Sequence, residues 1–149
     1  MAVNTSFVGR VYRSEETYQV SREKIREFAL ATGSQHPAHL DPRVAGGLGH
    51  ADVVAPPTFA VVIAQRAEAA YIEDPEAGVD FSRVVHADER FTHHRPLVAG
   101  DEVRATVHVD AVVARGPLTM VTTRTEIADL DGAPVSTVVS TLAVRGQEA

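Results

Sequence analysis

Apolar residues three and four positions apart mark a single early stretch, where Ile25, Phe28 and Ala29 stripe an otherwise charged segment. That spacing is one face of a helix. Ser21 is placed to cap it, Gly33 to stop it, and the predicted helix runs over Arg22–Thr32. A second helix is predicted from Pro57 to Tyr71, with proline suited to its first turn. Its first half, Phe59 to Ala64, is apolar on nearly every face, the pattern of a helix enclosed by other elements. Val61, Val62 and Ile63 are β-branched and permit a strand, but the Ala-rich continuation and the length decide for helix.

The period changes in the C-terminal half. Val103, Ala105, Val107 and Val109 alternate with Arg104, Thr106, His108 and Asp110, as in a half-buried strand. Thr119–Ala128 is a further strand, Asp131-Gly132 a turn, and Val135–Val144 the returning strand. A shorter strand is predicted over His86–Phe91, before the Arg95-Pro96 break, and an early one around Val8–Tyr12, where Gly9 weakens the pattern. Between the helices, His36 to Pro57 is rich in Pro and Gly, with a helical turn expected around Pro42–Gly46. An irregular stretch this long is either functional or disordered, and Val44, Leu48, Val53 and Val54 favour an ordered, functional loop. One very apolar helix followed by long antiparallel strands makes the class α+β, with the sheet wrapped around the helix.

Composition narrows the function. A chain of 149 residues suits one domain, expected over residues 8–145. With 44% hydrophobic and 23% charged residues and a net charge of −6, its Lys and Arg scattered singly, it offers no basic patch. Nucleic acid and anionic membranes are therefore poor partners. The absence of Cys removes disulfides, a thiolate nucleophile and Cys-based metal sites. The first residues lack the apolar core of a signal peptide, and Phe59–Ala64 is too short to span a bilayer, so a cytoplasmic protein is expected.

Three segments then carry a resemblance. They are Thr32-Gly-Ser-Gln-His-Pro-Ala-His-Leu-Asp-Pro42, Val53-Val-Ala-Pro-Pro-Thr-Phe-Ala60, and Val84-Val-His-Ala-Asp-Glu-Arg-Phe-Thr-His-His-Arg-Pro-Leu-Val-Ala-Gly-Asp101. The first resembles the Gly-Asp-x-Asn-Pro-x-His loop of the MaoC-like, R-specific enoyl-thioester hydratases and dehydratases. Gly33, Pro37 and His39 are in register; Ser34 stands at the catalytic Asp position and His36 at the Asn. The second is similar to the loop leading into that family's central helix, and the third to its strand-turn-strand segment. Within the family the chain is most like the small single-hot-dog subunits of heterodimeric hydroxyacyl-ACP dehydratases of fatty-acid elongation.

The resemblance implies a single hot-dog fold, an acyl-CoA or acyl-ACP ligand, no cofactor, and a homodimer or a heterodimer with a catalytic hot-dog subunit. Water addition across an unsaturated thioester needs a base, an acid at the α-carbon, and donors on the thioester oxygen. His39 is the implied base, with Ser34 expected alongside it. The N–H groups of Thr58 and Phe59, at the start of the central helix, are the implied donors, since Pro56 and Pro57 have none. Ser34 carries no charge to activate water, which implies weak or no catalysis by the chain alone. In an active enzyme, His36 or Asp41 would have to supply the missing group.

Blander readings stand beside these. Taken without the resemblance, His39 reads as a loop histidine bonded to backbone. His86 reads equally as a sheet residue or as part of a substrate pocket, and Asp101 as a residue fixing a turn. The pairs His36/His39 and His93/His94 lack a third ligand partner, so no metal site is expected. The small Ala60, Ala64 and Ala67 belong to a helix that is core first, with room for an acyl tail as the further reading.

Overall fold

The structure, a computed structural model, describes residues 2–146. A helix apolar on most sides has to be covered on most sides, and here a curved sheet does it. Six antiparallel strands form the sheet: β1 (Val11–Arg13), β2 (Tyr18–Gln19), β3 (Val84–His93), β4 (Glu102–Arg115), β5 (Leu118–Asp129) and β6 (Pro134–Arg145). Their order is β1-β4-β5-β6-β3, with β2 also paired to β4. The helices are α1 (Arg22–Thr32), α2 (Pro42–Gly47) and α3 (Ala60–Ile72). The α+β arrangement of a sheet around a buried helix is as expected.

Ser21 caps α1 by accepting from the Lys24 N–H at 3.1 Å, and Gly33 ends it in the left-handed conformation at φ 70°. The central helix starts later than expected, at Ala60 rather than Pro57. Pro56 to Phe59 form a turn instead, closed by the Phe59 N–H on the Pro56 carbonyl at 2.9 Å. The early strand is also displaced, because Gly9 takes φ 91° and pairing begins only at Val11. Strand β3 is longer than expected at both ends, from Val84 to His93.

The core has two parts. In the larger, Phe59, Ala60, Ile63 and Ala64 meet Val103, Ala105 and Val107 of β4 and Val138 of β6. The Phe28 ring stands edge-on to Phe59, centroids 5.5 Å apart, which joins α1 to the same core. In the smaller, Tyr71 packs with Phe7, Val109, Val121 and Leu142. Burial, with a smaller contribution from the neighbouring Tyr12, pushes the Tyr71 hydroxyl up to about 12.

A polar layer lies between these parts. Register places Thr123 opposite Ser140, and Ser140 opposite Glu89, in one row across β5, β6 and β3. Above that row, Glu68 of α3 is 1% exposed and accepts a hydrogen bond from the Thr123 hydroxyl. Among the described residues its second oxygen has no partner, nor does Oε1 of Glu89, whose other oxygen accepts from Ser140 at 2.9 Å. Burial raises the Glu89 carboxyl above the usual carboxylate range. The Ser140 hydrogen bond and His86 oppose the rise, while the charges of Glu68 and Asp88 add to it. No described helix is long and apolar enough to cross a membrane.

Two stability outcomes follow. Phe59→Ala removes a fully buried ring and is expected to cost about 3–5 kcal/mol in urea denaturation. Glu89 binds its proton more tightly when folded, so it opposes folding once the unfolded chain has ionised. That opposition is absent below the ordinary value of 4.5 and complete above the raised folded value. Glu89→Gln should therefore raise Tm at about pH 8 and leave it unchanged at about pH 3.5; a gain at both pH values would show that the ionisation is not responsible.

Candidate functional site

The αL turn at Gly33 lets the chain leave α1 and fold back, with the Ser34 N–H on the Ala29 carbonyl at 2.8 Å. His36 then caps a short 3₁₀ turn, Pro37–His39, by accepting the Ala38 N–H on its Nδ1 at 3.1 Å. His39 sits at the end of that turn, half-buried, with Nδ1 2.6 Å from the Val54 carbonyl. A carbonyl only accepts, so Nδ1 carries the hydrogen and Nε2 keeps its lone pair free. One short contact thus fixes both the tautomer and the orientation of the ring.

The rest of the site is pinned by loop pairing. Val54 N–H bonds to the Ala38 carbonyl, Ala55 N–H to Leu97 and Ala99 N–H to Val53, at 2.8–3.0 Å. Asp101 holds the far loop by accepting from Arg95 Nη1 at 2.8 Å and from the Val98 N–H at 2.9 Å. It fixes a turn, as expected of it. Between these loops and the start of α3 lies a cleft of about 620 Å³.

His36 and His39 both line this cleft, their rings 6.1 Å apart and nearly perpendicular. His50, His93, His94 and Arg95 join them, together with Pro57 and Ala60. Sequence reasoning set His93 and His94 aside once they failed as metal ligands. The signal for them was their place directly before Arg95-Pro96 in the third matching segment. Nothing local pointed to His50. Among the described residues, none of the side chains lining the cleft is acidic, and no group of three or more His, Cys, Asp or Glu is arranged to hold a metal ion.

Ser34 does not line the cleft. Its hydroxyl is 3.1 Å from that of Thr32, which is itself tied to the Phe28 carbonyl at 2.8 Å, so it belongs to the end of α1. An acid installed at this position would have to leave that partner before reaching the cleft. Asp41 does not fold back to replace it. It caps α2, and the hydrogen bond from the Arg43 N–H holds its carboxyl below the usual range.

Two further expectations are redrawn. The Phe59 N–H is spent on the Pro56 carbonyl and its side chain is fully buried, so it presents no donor. Thr58, exposed, keeps an N–H with no partner among the described residues, and so does Ala60 at the first position of α3. His86 faces a different cleft, under the flank of α3, where its Nε2 lies 3.4 Å from Gln65 Nε2.

Comparison with known proteins places the chain. Residues 6–138 match the model of the FAS1-like, dehydratase domain region. A UPF0336 protein of Saccharopolyspora erythraea is 49% identical over 146 residues, covering 98% of this chain and 94% of that protein. The fold is similar to a C-terminally truncated HadBC (3R-hydroxyacyl-ACP dehydratase) complex from Mycobacterium tuberculosis, at TM-score 0.84 and 31% identity, over 92% of this chain and 96% of that one. A MaoC-like dehydratase aligns at TM-score 0.86 and 32% identity, over 95% of this chain but 43% of that one. The sheet that wraps α3 is thus a hot-dog fold of MaoC-like type, and the chain belongs to the FAS1-like dehydratase domain region family.

Proposed function

We propose that the chain is a MaoC-like hydratase/dehydratase subunit of fatty-acid metabolism that binds acyl thioesters, with weak or no chemistry of its own, and supports a catalytic hot-dog partner in the cytoplasm. The observation that carries this reading is an oriented His39 in a cleft with no lining carboxylate. Adding water to an enoyl thioester forms a C–O bond at the β-carbon and a C–H bond at the α-carbon. His39 Nε2 has a lone pair for the proton that water gives up. The N–H group of Ala60, a residue that lines the cleft, suits the thioester oxygen, where enolate charge develops. What is missing is the second acid–base group, a loss that typically costs about 100- to 10,000-fold.

Partnership is supported by the open edge. Among the described residues strand β3 pairs only with β6, which leaves its other side without a ladder. The similar MaoC-like dehydratase chain is more than twice the aligned length, leaving room for a second unit. A carrier based on CoA or on acyl carrier protein satisfies this site equally. A second reading, an R-specific hydratase active alone through His39 and His36, has one observation in its favour: both rings line the same cleft.

Hydration of crotonyl-CoA tests both readings. The purified chain is expected to give little or no turnover, and activity should appear on adding a hot-dog subunit with an intact Gly-Asp-x-Asn-Pro-x-His loop. Robust turnover by the chain alone, abolished by His39→Ala and by His36→Ala, would establish the second reading; turnover surviving His39→Ala would overturn both. Sedimentation at micromolar concentration should give about twice the chain mass, or a one-to-one complex with the partner. A clean monomer that ignores the partner would contradict the subunit reading.

A further inference from the structure

The second cleft, between the flank of α3 and strand β3, has a volume of about 530 Å³, inside the range of about 300–1,000 Å³ common for small-molecule sites. Val62, Ala69, Ile72 and Phe81 supply apolar walls. Its polar groups are unusual for a core-facing groove. Glu68 contributes to the lining although its side chain is almost wholly buried, and its Oε2 has no hydrogen-bond partner. A buried carboxylate oxygen left unmatched costs more than a bond to it returns, and that cost is recovered only when a donor arrives.

The cleft also describes what the donor must be. Arg66 and Glu73 both line the cleft and both are exposed. An anion would meet Glu68 and Glu73; a cation would meet Arg66. An uncharged group avoids both conflicts. Gln65 and His86 line the same cleft, and their nitrogens approach within 3.4 Å of each other. The Gln65 amide donates one N–H to His86 Nε2 and has a second to offer whatever enters. The site offers one unmet acceptor and nearby amide and imidazole nitrogens, all inside apolar walls. A hydroxyl donates once and accepts as well, and matches that set.

We infer that this cleft is a second binding site, separate from the histidine cleft, for an uncharged aliphatic group bearing a hydroxyl, which donates to Glu68 and accepts from Gln65. The inference does not depend on the thioester reading of the histidine cleft, because it involves none of that cleft's residues.

The test is methyl NMR on the full chain with two probes of equal size, hexan-1-ol and 1-methoxypentane. The ether has the oxygen but no hydrogen to donate. Hexan-1-ol is expected to shift the Ala69 and Ile72 methyl signals saturably and to leave that of Ala60, in the histidine cleft, unmoved. The ether should bind about tenfold more weakly, the order for a hydrogen bond to a charged acceptor. Glu68→Met should abolish the difference between the two probes. Gln65→Met, at an exposed position, removes a donor that both probe oxygens accept from, so it should weaken both probes and leave their ratio unchanged. Equal binding of alcohol and ether overturns the inference, as does a full preference surviving in Glu68→Met or a response confined to Ala60. If Glu68→Met does not fold, Gln65→Met decides: binding of both probes at full strength in that variant overturns the inference. None of these outcomes bears on crotonyl-CoA hydration, so the two readings fail separately.

Discussion

Everything in this molecule follows from the need to hide α3. A helix carrying Phe59, Ala60, Ile63, Ala64 and Tyr71 at or near complete burial has no solvent face to spare along its inner turns. Only a sheet that curls can enclose it, and long strands with a regular in-out alternation supply one. Once the helix is enclosed, its first turn is fixed in space, and so are the N–H groups of Thr58 and Ala60. The loops on either side then have to pass over that end, which is why Val53–Ala55 and Leu97–Ala99 meet there. The histidine cleft is the space they leave.

The sequence was most legible where one physical signal dominated. The stripe of Ile25, Phe28 and Ala29 together with the Ser21 cap set the limits of α1, because cap and stop residues act locally. The strands of the C-terminal half were legible for the same reason: alternation is a property of neighbouring residues. The start of α3 was misread because proline at a first helical position and proline in a preceding turn look alike; a hydrogen bond from Phe59 to Pro56 decides between them. Site geometry was the least legible. The Gly-Ser-Gln-His-Pro-Ala-His run correctly pointed to the loop, but whether Ser34 turns toward His39 or toward Thr32 is a choice of side-chain rotamer that the run does not encode. His50 and His94 reach the cleft from loops far apart in the chain, and only the folded topology brings them there.

Glu68 shows the same limit from another side. In sequence it reads as the polar end of an apolar helix, one of a group with Gln65 and Arg66. In the fold it faces inward while those two face out. The concave face beneath it is correspondingly lined by hydroxyls, from Thr123, Thr125 and Ser140, where an aliphatic row would have been the simpler filling. Two carboxyls with unmatched oxygens in one layer carry a stability cost.

The placement of β3 has a consequence for how the protein is made. Strands β4, β5 and β6 are joined by short turns and can zip together as they emerge. Strand β3 precedes them in the chain yet pairs with none but β6, with Val84 opposite Val144. Its loop-closure entropy is met only after β6 exists, so docking of β3 is a late step during synthesis. Until then Val85 and Phe81, exposed even in the finished fold, have no sheet beside them. The unpaired side of β3 therefore belongs to the part of the nascent chain that waits longest for a sheet beside it.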